Sequence, residues 1–345
     1  MKILKISIFL ISVILVGCKV ASPVSESDEA LQFQSVFPEK KMQSAYETFT
    51  KSVVKLTAFV NYQTILFEPE SAISIDDISD EDGLAFTRAR LVQNESFSGT
   101  ATIIGVEGGK ALLMACAHNV SFADTLLTYS DKADSWGNRY LLGISIKTAQ
   151  VLQVGCAIGT FQARAIALDA ENDLALLELK SETEIVLPPP VNLKPVSLSE
   201  LHWGDRLWLC GYPSGRFMMT SGLISKPDEK QGILMTDAPF SDGYSGAPAL
   251  VYDLQSGEFR LAGIGRSVAA RSVYVLKPEK KIHEAAYNTS LPYTGPTYVE
   301  TEKQAAPGVT FVTSSDIIRR FLEENYGMLA EHGWQGVLDD FMIED

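Results

Sequence analysis

The chain has 345 residues, 46% of them hydrophobic and 21% charged, a globular balance that excludes a mostly disordered chain and leaves room for one two-lobed domain or two modest ones. A formal net charge of −14 argues against non-specific binding to nucleic acid or anionic lipid, both polyanions, so no nucleic-acid partner is expected. Four cysteines in this length exclude a disulfide-dense miniature scaffold, and four histidines leave few candidates for histidine chemistry.

Lys2 and Lys5 precede an uncharged run from Ile6 to Gly17. The run is too short for a comfortable membrane span of about 20 residues and reads as an export signal. It ends in Leu15-Val16-Gly17-Cys18, which resembles the bacterial lipoprotein processing box; the bland alternative is a signal anchor with a chance cysteine. The resemblance implies removal of residues 1–17, a lipid on Cys18, and a chain held to a bacterial membrane in the cell envelope, facing the periplasm or the exterior. Residues 18–38, rich in Ser, Asp and Glu between Ala21 and Ala30, read as a tether. Cys116, Cys156 and Cys210 remain, an odd number that does not make a disulfide framework.

Beyond the tether, Glu39 to Thr50 reads as a helix. Short β-branched or aromatic runs follow at 52–60, 99–105, 110–116, 163–169 and 174–179, then at 206–210, 217–225, 232–236, 248–252, 258–265 and 309–312. Pro188-Pro189-Pro190 separates the two series as a stiff connector. Many short strands with turn signals predict β-barrels or a sandwich, and the connector favours two barrels. Ser315 to Tyr326 predicts a helix capped by Ser315, with Ile317, Ile318, Phe321 and Leu322 on one face and Gly327 at its end. Glu68 to Gly83 is acidic, but an EF-hand register places Ile78 and Ala89 at ligand positions, so a solvated loop is expected and no metal. Arg271 to Pro307 reads as an insertion before the last strand.

Three segments carry chemistry. Met114 to Val120 is a strand end leading to His118, Asp169 to Leu177 sets an aspartate before an apolar strand, and Asp242 to Pro248 is a glycine-flanked loop around Ser245. Taken singly, each has an ordinary structural reading as a solvated histidine, a turn cap or a loop. Their order along an apparent double barrel is what distinguishes them.

That order resembles the trypsin-like (chymotrypsin-fold) serine proteases, nearest the HtrA/Deg-like branch. Ser52-Val53-Val54-Lys55-Leu56, Ser98-Gly99-Thr100-Ala101, Gly211-Tyr212-Pro213-Ser214-Gly215, Thr236-Asp237-Ala238 and the serine loop itself carry the likeness, from about Ala45 to Tyr326. It implies an all-β fold of two six-stranded antiparallel β-barrels with a C-terminal helix, spanning 39–328 with barrels at about 45–187 and 191–328 and a tail at 329–345. It also implies a serine endopeptidase acting on proteins or peptides, without a cofactor. Ser245 is then the nucleophile, His118 the base and Asp173 the orienting acid, with Asp169 four residues earlier in the turn. Backbone N–H groups of Gly243 and Ser245 form the oxyanion hole. Pro239, Gly265 and Arg266 fall near the substrate pocket, where Arg266 favours an acidic side chain or, alternatively, faces solvent or the acidic loop. His202, His283 and His332 are expected at the surface.

The departures are specific. His118 and Asp173 lie 55 residues apart, so the stretch Ser121 to Thr160 is expected as an expanded loop. Ala247 replaces a commoner glycine, and Tyr244 stands where zymogen-activated digestive enzymes carry an aspartate. Cys116 lies two residues before His118 and is expected as a small buried thiol. Nineteen residues after Tyr326 are too few for a PDZ domain of roughly 90. The oligomeric state is not legible. The competing expectation is a catalytically silent trypsin-like fold that binds proteins.

Overall fold

In the computed structural model, apolar alternation turns these runs into the strands of two antiparallel sheets. The structure describes residues 40–78, 87–130, 133–180, 187–188, 190, 194–225, 227, 230–278 and 290–342. The export signal, Cys18, the tether, His283 and parts of the acidic segment and the insertion lie outside them.

The first sheet comprises β1 (Val53–Phe67), β2 (Thr87–Glu107), β3 (Lys110–Ala115), β4 (Thr125–Tyr129), β5 (Leu141–Cys156), β6 (Gly159–Asp169) and β7 (Leu174–Lys180). Its order is β1-β2-β3-β7-β6-β5-β4, and β1 also pairs with β5, which closes six strands into a barrel with β4 as an added edge. Period-two alternation fills it: Val54, Leu56 and Ala58 of β1 point inward onto Leu113, Val154 and Leu177. Strands β4 and β5 occupy the stretch expected as a loop. Polar residues such as Lys147, Thr148 and Gln150 interrupt the apolar pattern of β5, and its register against β1 shifts between Asn61 and Tyr62.

The second sheet comprises β8 (Arg206–Gly211), β9 (Met218–Leu223), β10 (Ile233–Thr236), β11 (Pro248–Asp253), β12 (Glu258–Pro278) and β13 (Thr297–Ser314), in the order β10-β13-β12-β11-β8-β9. Among the described residues its edge strands share one backbone bridge, Ile224–Thr236, and the Leu223 N–H bond to the Asp237 carboxylate, so this is a half-barrel around Leu207, Leu209, Leu234, Ala249 and Val312. The fold is thus mostly β, with one barrel closed and the other barely joined. The described part of the insertion is a two-stranded ribbon, β12 against β13 from Ala270–Ala305 to Pro278–Thr297.

Helix α1 (Lys40–Phe49) buries Met42, Tyr46 and Phe49, and the Tyr46 ring meets Phe259 of β12 at 5.6 Å. Helix α2 (Ser315–Glu324) buries the face expected of it. Its N-cap position falls at Ser314, while the Ser315 hydroxyl donates to the Val196 carbonyl. The helix stops at Asn325, whose side-chain amide donates to Phe321 O at 2.8 Å, and Gly327 lies inside the next helix, α3 (Tyr326–Glu331). Asn325 thus supplies the break expected of Gly327, by bonding a carbonyl of the last turn.

The segment read as a tail begins in α3 and ends in α4 (Gln335–Met342). Between them Trp334 is 0% exposed; its indole N–H donates to Glu178 Oε2 at 3.3 Å, and Lys110 Nζ stands 5.1 Å above its ring. His332, expected at the surface, is also drawn in, with Nδ1 3.3 Å from the same carboxylate. The Trp334 side chain thereby seals the outer face of β3 and β7, the two strands that lead into and out of the site described next.

Candidate active site

Strand β3 ends at Ala115, and a single 3₁₀ turn, Ala117–Asn119, follows. The flanking small or polar side chains of Ala117 and Asn119 are buried, which leaves His118 half exposed at the strand end. Strands β6 and β7 are joined by the turn 169–173. Asp169 belongs to that turn: its carboxylate accepts the N–H groups of Glu171 and Asn172, both at 3.0 Å, and the Asn172 side-chain amide at 2.6 Å. Asp173 leaves the turn with φ +58°, a left-handed geometry that aspartate tolerates better than most residues.

This geometry aims Asp173 at the histidine. Its Oδ2 lies 2.7 Å from His118 Nδ1, and its Oδ1 accepts the His118 backbone N–H at 2.9 Å. Burial pushes the Asp173 carboxyl up. The hydrogen bonds from the His118 ring and backbone, with the attraction of His118 and Arg266, outweigh burial and hold it below the usual carboxylate range.

The serine loop is held by its carbonyls. Thr100 of β2 donates its backbone N–H to Ser245 O at 2.9 Å, and Asn119 Nδ2 donates to the same oxygen at 3.0 Å. Thr100 Oγ1 donates to Gly243 O at 2.7 Å and accepts the Tyr212 N–H at 3.0 Å. Gly243 and Gly246 have φ of +104° and +88°. A Cβ would stand 2.3 Å from Tyr212 O at the first and 2.0 Å from Thr100 O at the second, so only glycine fits either position. With the carbonyls engaged, the N–H groups of Gly243 and Ser245 have no acceptor among the described residues.

Gly243, Ser245 and His118 line one cavity of about 540 Å³, with Lys55, Phe97 and Gly215 among its other walls. Within it the Ser245 hydroxyl donates to the Arg266 carbonyl at 3.3 Å rather than to His118. The structure therefore brings His118 to Asp173 and sets Ser245 in the same cavity, with its hydroxyl turned towards β12.

The expected pocket residues lie elsewhere. Pro239 is exposed, and Gly265 is buried with its carbonyl taken by Gly246 N and the Cys116 thiol. Arg266 turns to the acid loop: Nη2 donates to Glu171 O at 3.0 Å, and Nε is 3.9 Å from Asp173 Oδ2. None of the three lines the cavity. The guanidinium thus lies against the 169–173 turn, a partner that neither reading of Arg266 named.

Two residues of the site escaped sequence reasoning as individuals. Thr100 and Lys55 lie in strand motifs that pointed to the barrel; Lys55 is the one charged side chain of its run, while nothing in the sequence sets Thr100 apart from Thr102. Cys116, His118 and Asp173 are the one grouping among the described residues with metal-ligand proximity, their donor atoms lying within 4.8 Å of one another. Burial pushes the Cys116 thiol well above its ordinary value, helped by the Asp173 carboxylate, and the thiol donates to Gly265 O at 3.3 Å. A protonated thiol and an imidazole nitrogen already bonded to carboxylate are poor zinc donors. Cys116, Cys156 and Cys210 carry no disulfide.

A family model described as the trypsin-like peptidase domain matches residues 99–260, the stretch that holds His118, Asp173 and Ser245. No curated protein matches the chain. Among solved structures, an HtrA-type protease with a decapeptide is similar at 15% identity and a TM-score of 0.45, over 85% of this chain and 67% of that one. Residues 99–260 are thus similar to a trypsin-like peptidase domain.

The lowered Asp173 carboxyl has a consequence for stability. A group depressed in the folded state stabilises it above the unfolded pKa of about 3.9, and that contribution is lost as pH falls through the lower native value. In urea denaturation, Asp173→Asn should be less stable than the native chain near about pH 7. The gap should close as the pH falls below about 4; a pH-independent gap would contradict the assignment.

Proposed function

We propose that the chain is a serine endopeptidase. The observation that carries this reading is the 2.7 Å pairing of His118 with Asp173 beside a serine loop whose two unpartnered N–H groups share its cavity. In this reading the Ser245 hydroxyl leaves the Arg266 carbonyl and turns to His118 Nε2. His118, held with its Nδ1 proton on Asp173, takes the serine proton as Ser245 Oγ attacks the substrate carbonyl. The N–H groups of Gly243 and Ser245 receive the negative charge that develops on the carbonyl oxygen, a donor pair in which each member is typically worth about 3 kcal/mol. His118 then gives its proton to the leaving amine, and water attacks the acyl-enzyme by the same route in reverse.

A second reading draws on the Ser245–Arg266 hydrogen bond, which occupies the hydroxyl: a silent trypsin-like fold that binds proteins. The two differ in the reactivity of Ser245. A fluorophosphonate probe should label the folded chain and fail to label Ser245→Ala, and peptidase turnover should fall by about 10³-fold or more in that variant. A chain that folds but takes no Ser245-dependent label is the binding module.

The reading extends to location. Residues 1–18 fit a lipoprotein signal, so the domain works in a bacterial cell envelope, tethered by lipid on Cys18 and acting on proteins or peptides there. Metabolic labelling with a fatty acid should mark the native chain and spare Cys18→Ala; equal labelling of both would remove the anchor from the account.

A further inference from the structure

We propose that Lys55 gives this chain a preference for substrates with an acidic side chain on the leaving-group side of the scissile bond, an inference that rests on the peptidase reading above. In β1 the neighbours Val54 and Leu56 point into the barrel core, so Lys55 points the other way. It pairs in register with Thr100 on one side and Gly155 on the other. Its side chain runs along the wall of the cavity that holds His118, Gly243 and Ser245. The ammonium lies 3.1 Å from where a Cβ on Gly215 would stand, and Gly215 has φ +74°. A side chain there would displace the ammonium.

Among the described residues, Lys55 differs from the other partly buried lysines in having no partner. Lys147 meets Asp124 at 2.8 Å, Lys277 meets Glu300 and Glu302 at 2.9 and 2.6 Å, and Lys110 donates to His332 O at 2.7 Å. Among the described residues, Lys55 has no carboxylate within 4.0 Å and no hydrogen-bond acceptor. Asp242, the acidic residue at the cavity rim, is exposed and beyond that distance. An ammonium with no counter-charge on the cavity wall is a ready partner for a ligand carboxylate. In a chain of net charge −14, this unpaired cation beside the nucleophile makes the cavity locally attractive to an anion.

The side of the bond follows from proton transfer. His118 must face the leaving amine to protonate it. The cavity that Lys55 lines also takes in His118 and Asn119 and Ser96, Phe97 and Ser98 of β2, and no residue of β12. Strand β12, outside that lining, meets Ser245 through the Arg266 carbonyl that holds the serine hydroxyl. A side chain that reaches Lys55 therefore belongs to a residue after the scissile bond. Lysine is a mobile point charge with no fork to impose geometry, so Asp and Glu both fit.

The test uses full-length Ser245→Ala chain, which separates binding from turnover, and two fluorescent octapeptides identical except for Glu or Gln at each of the last three positions. Fluorescence anisotropy at low salt should show the Glu peptide bound about tenfold more tightly. The preference should survive adding Lys55→Arg, vanish with Lys55→Gln, and reverse towards a Lys-bearing peptide with Lys55→Glu. Equal binding of the two peptides, binding of neither, or a preference that persists in Lys55→Gln would overturn the proposal. Fluorophosphonate labelling of the native chain without peptide discrimination removes Lys55 and keeps the peptidase. Discrimination without labelling keeps the Lys55 site for acidic peptides and removes its role in cleavage.

Discussion

Thr100 is the residue on which the site depends. It sits in the closed barrel, yet its backbone N–H and hydroxyl hold two carbonyls of the serine loop, at Ser245 and Gly243, which belongs to the other sheet. The same hydroxyl accepts from Tyr212, so one side chain joins three pieces of chain. Thr100 is 0% exposed, and leaving any of these buried groups unpaired costs about 1–3 kcal/mol. The two glycines follow from this clamp: with Thr100 and Tyr212 drawn so close, no Cβ fits at 243 or 246. The carbonyls are taken, and the N–H groups of Gly243 and Ser245 are left for a ligand.

A second constraint acts through β12. The backbone carbonyl of Arg266 receives the serine hydroxyl, while its guanidinium lies against Glu171 and Asp173. One residue thereby touches Ser245 through its main chain and Asp173 through its side chain. The positive charge helps keep Asp173 ionised, and an ionised Asp173 keeps the His118 ring oriented. Behind this, β3 and β7 are covered by Trp334 and His332 on the shared carboxylate of Glu178. The C-terminal helices thus brace the strand ends that present His118 and Asp173.

The strands with clean apolar alternation and the serine loop were legible in the sequence because burial and turn chemistry write directly into residue order. The 169–173 turn was legible too, since Asp169 makes the side-chain bonds that such turns use while Asp173 stands free of them. Strand β5 was not: it pairs on both sides, yet Lys147, Thr148 and Gln150 break its pattern, and a register shift breaks its period. Gly327 misled because a helix ends where a carbonyl finds another partner, and Asn325 provided it first. Lys55 and Arg266 were illegible in a deeper sense. Which way a long cationic side chain turns is decided by neighbours distant in the chain, Gly215 for one and Glu171 with Asp173 for the other.

The central claim is that Ser245, His118 and the N–H pair at Gly243 and Ser245 act on one carbonyl. A crystal structure of the chain after reaction with a peptidyl phosphonate tests it most directly. The account predicts phosphorus bonded to Ser245 Oγ, its oxygen within about 3.1 Å of both N–H groups, and His118 Nε2 facing the leaving-group side. An adduct on another residue, or one on Ser245 whose phosphoryl oxygen points away from Gly243, would contradict it.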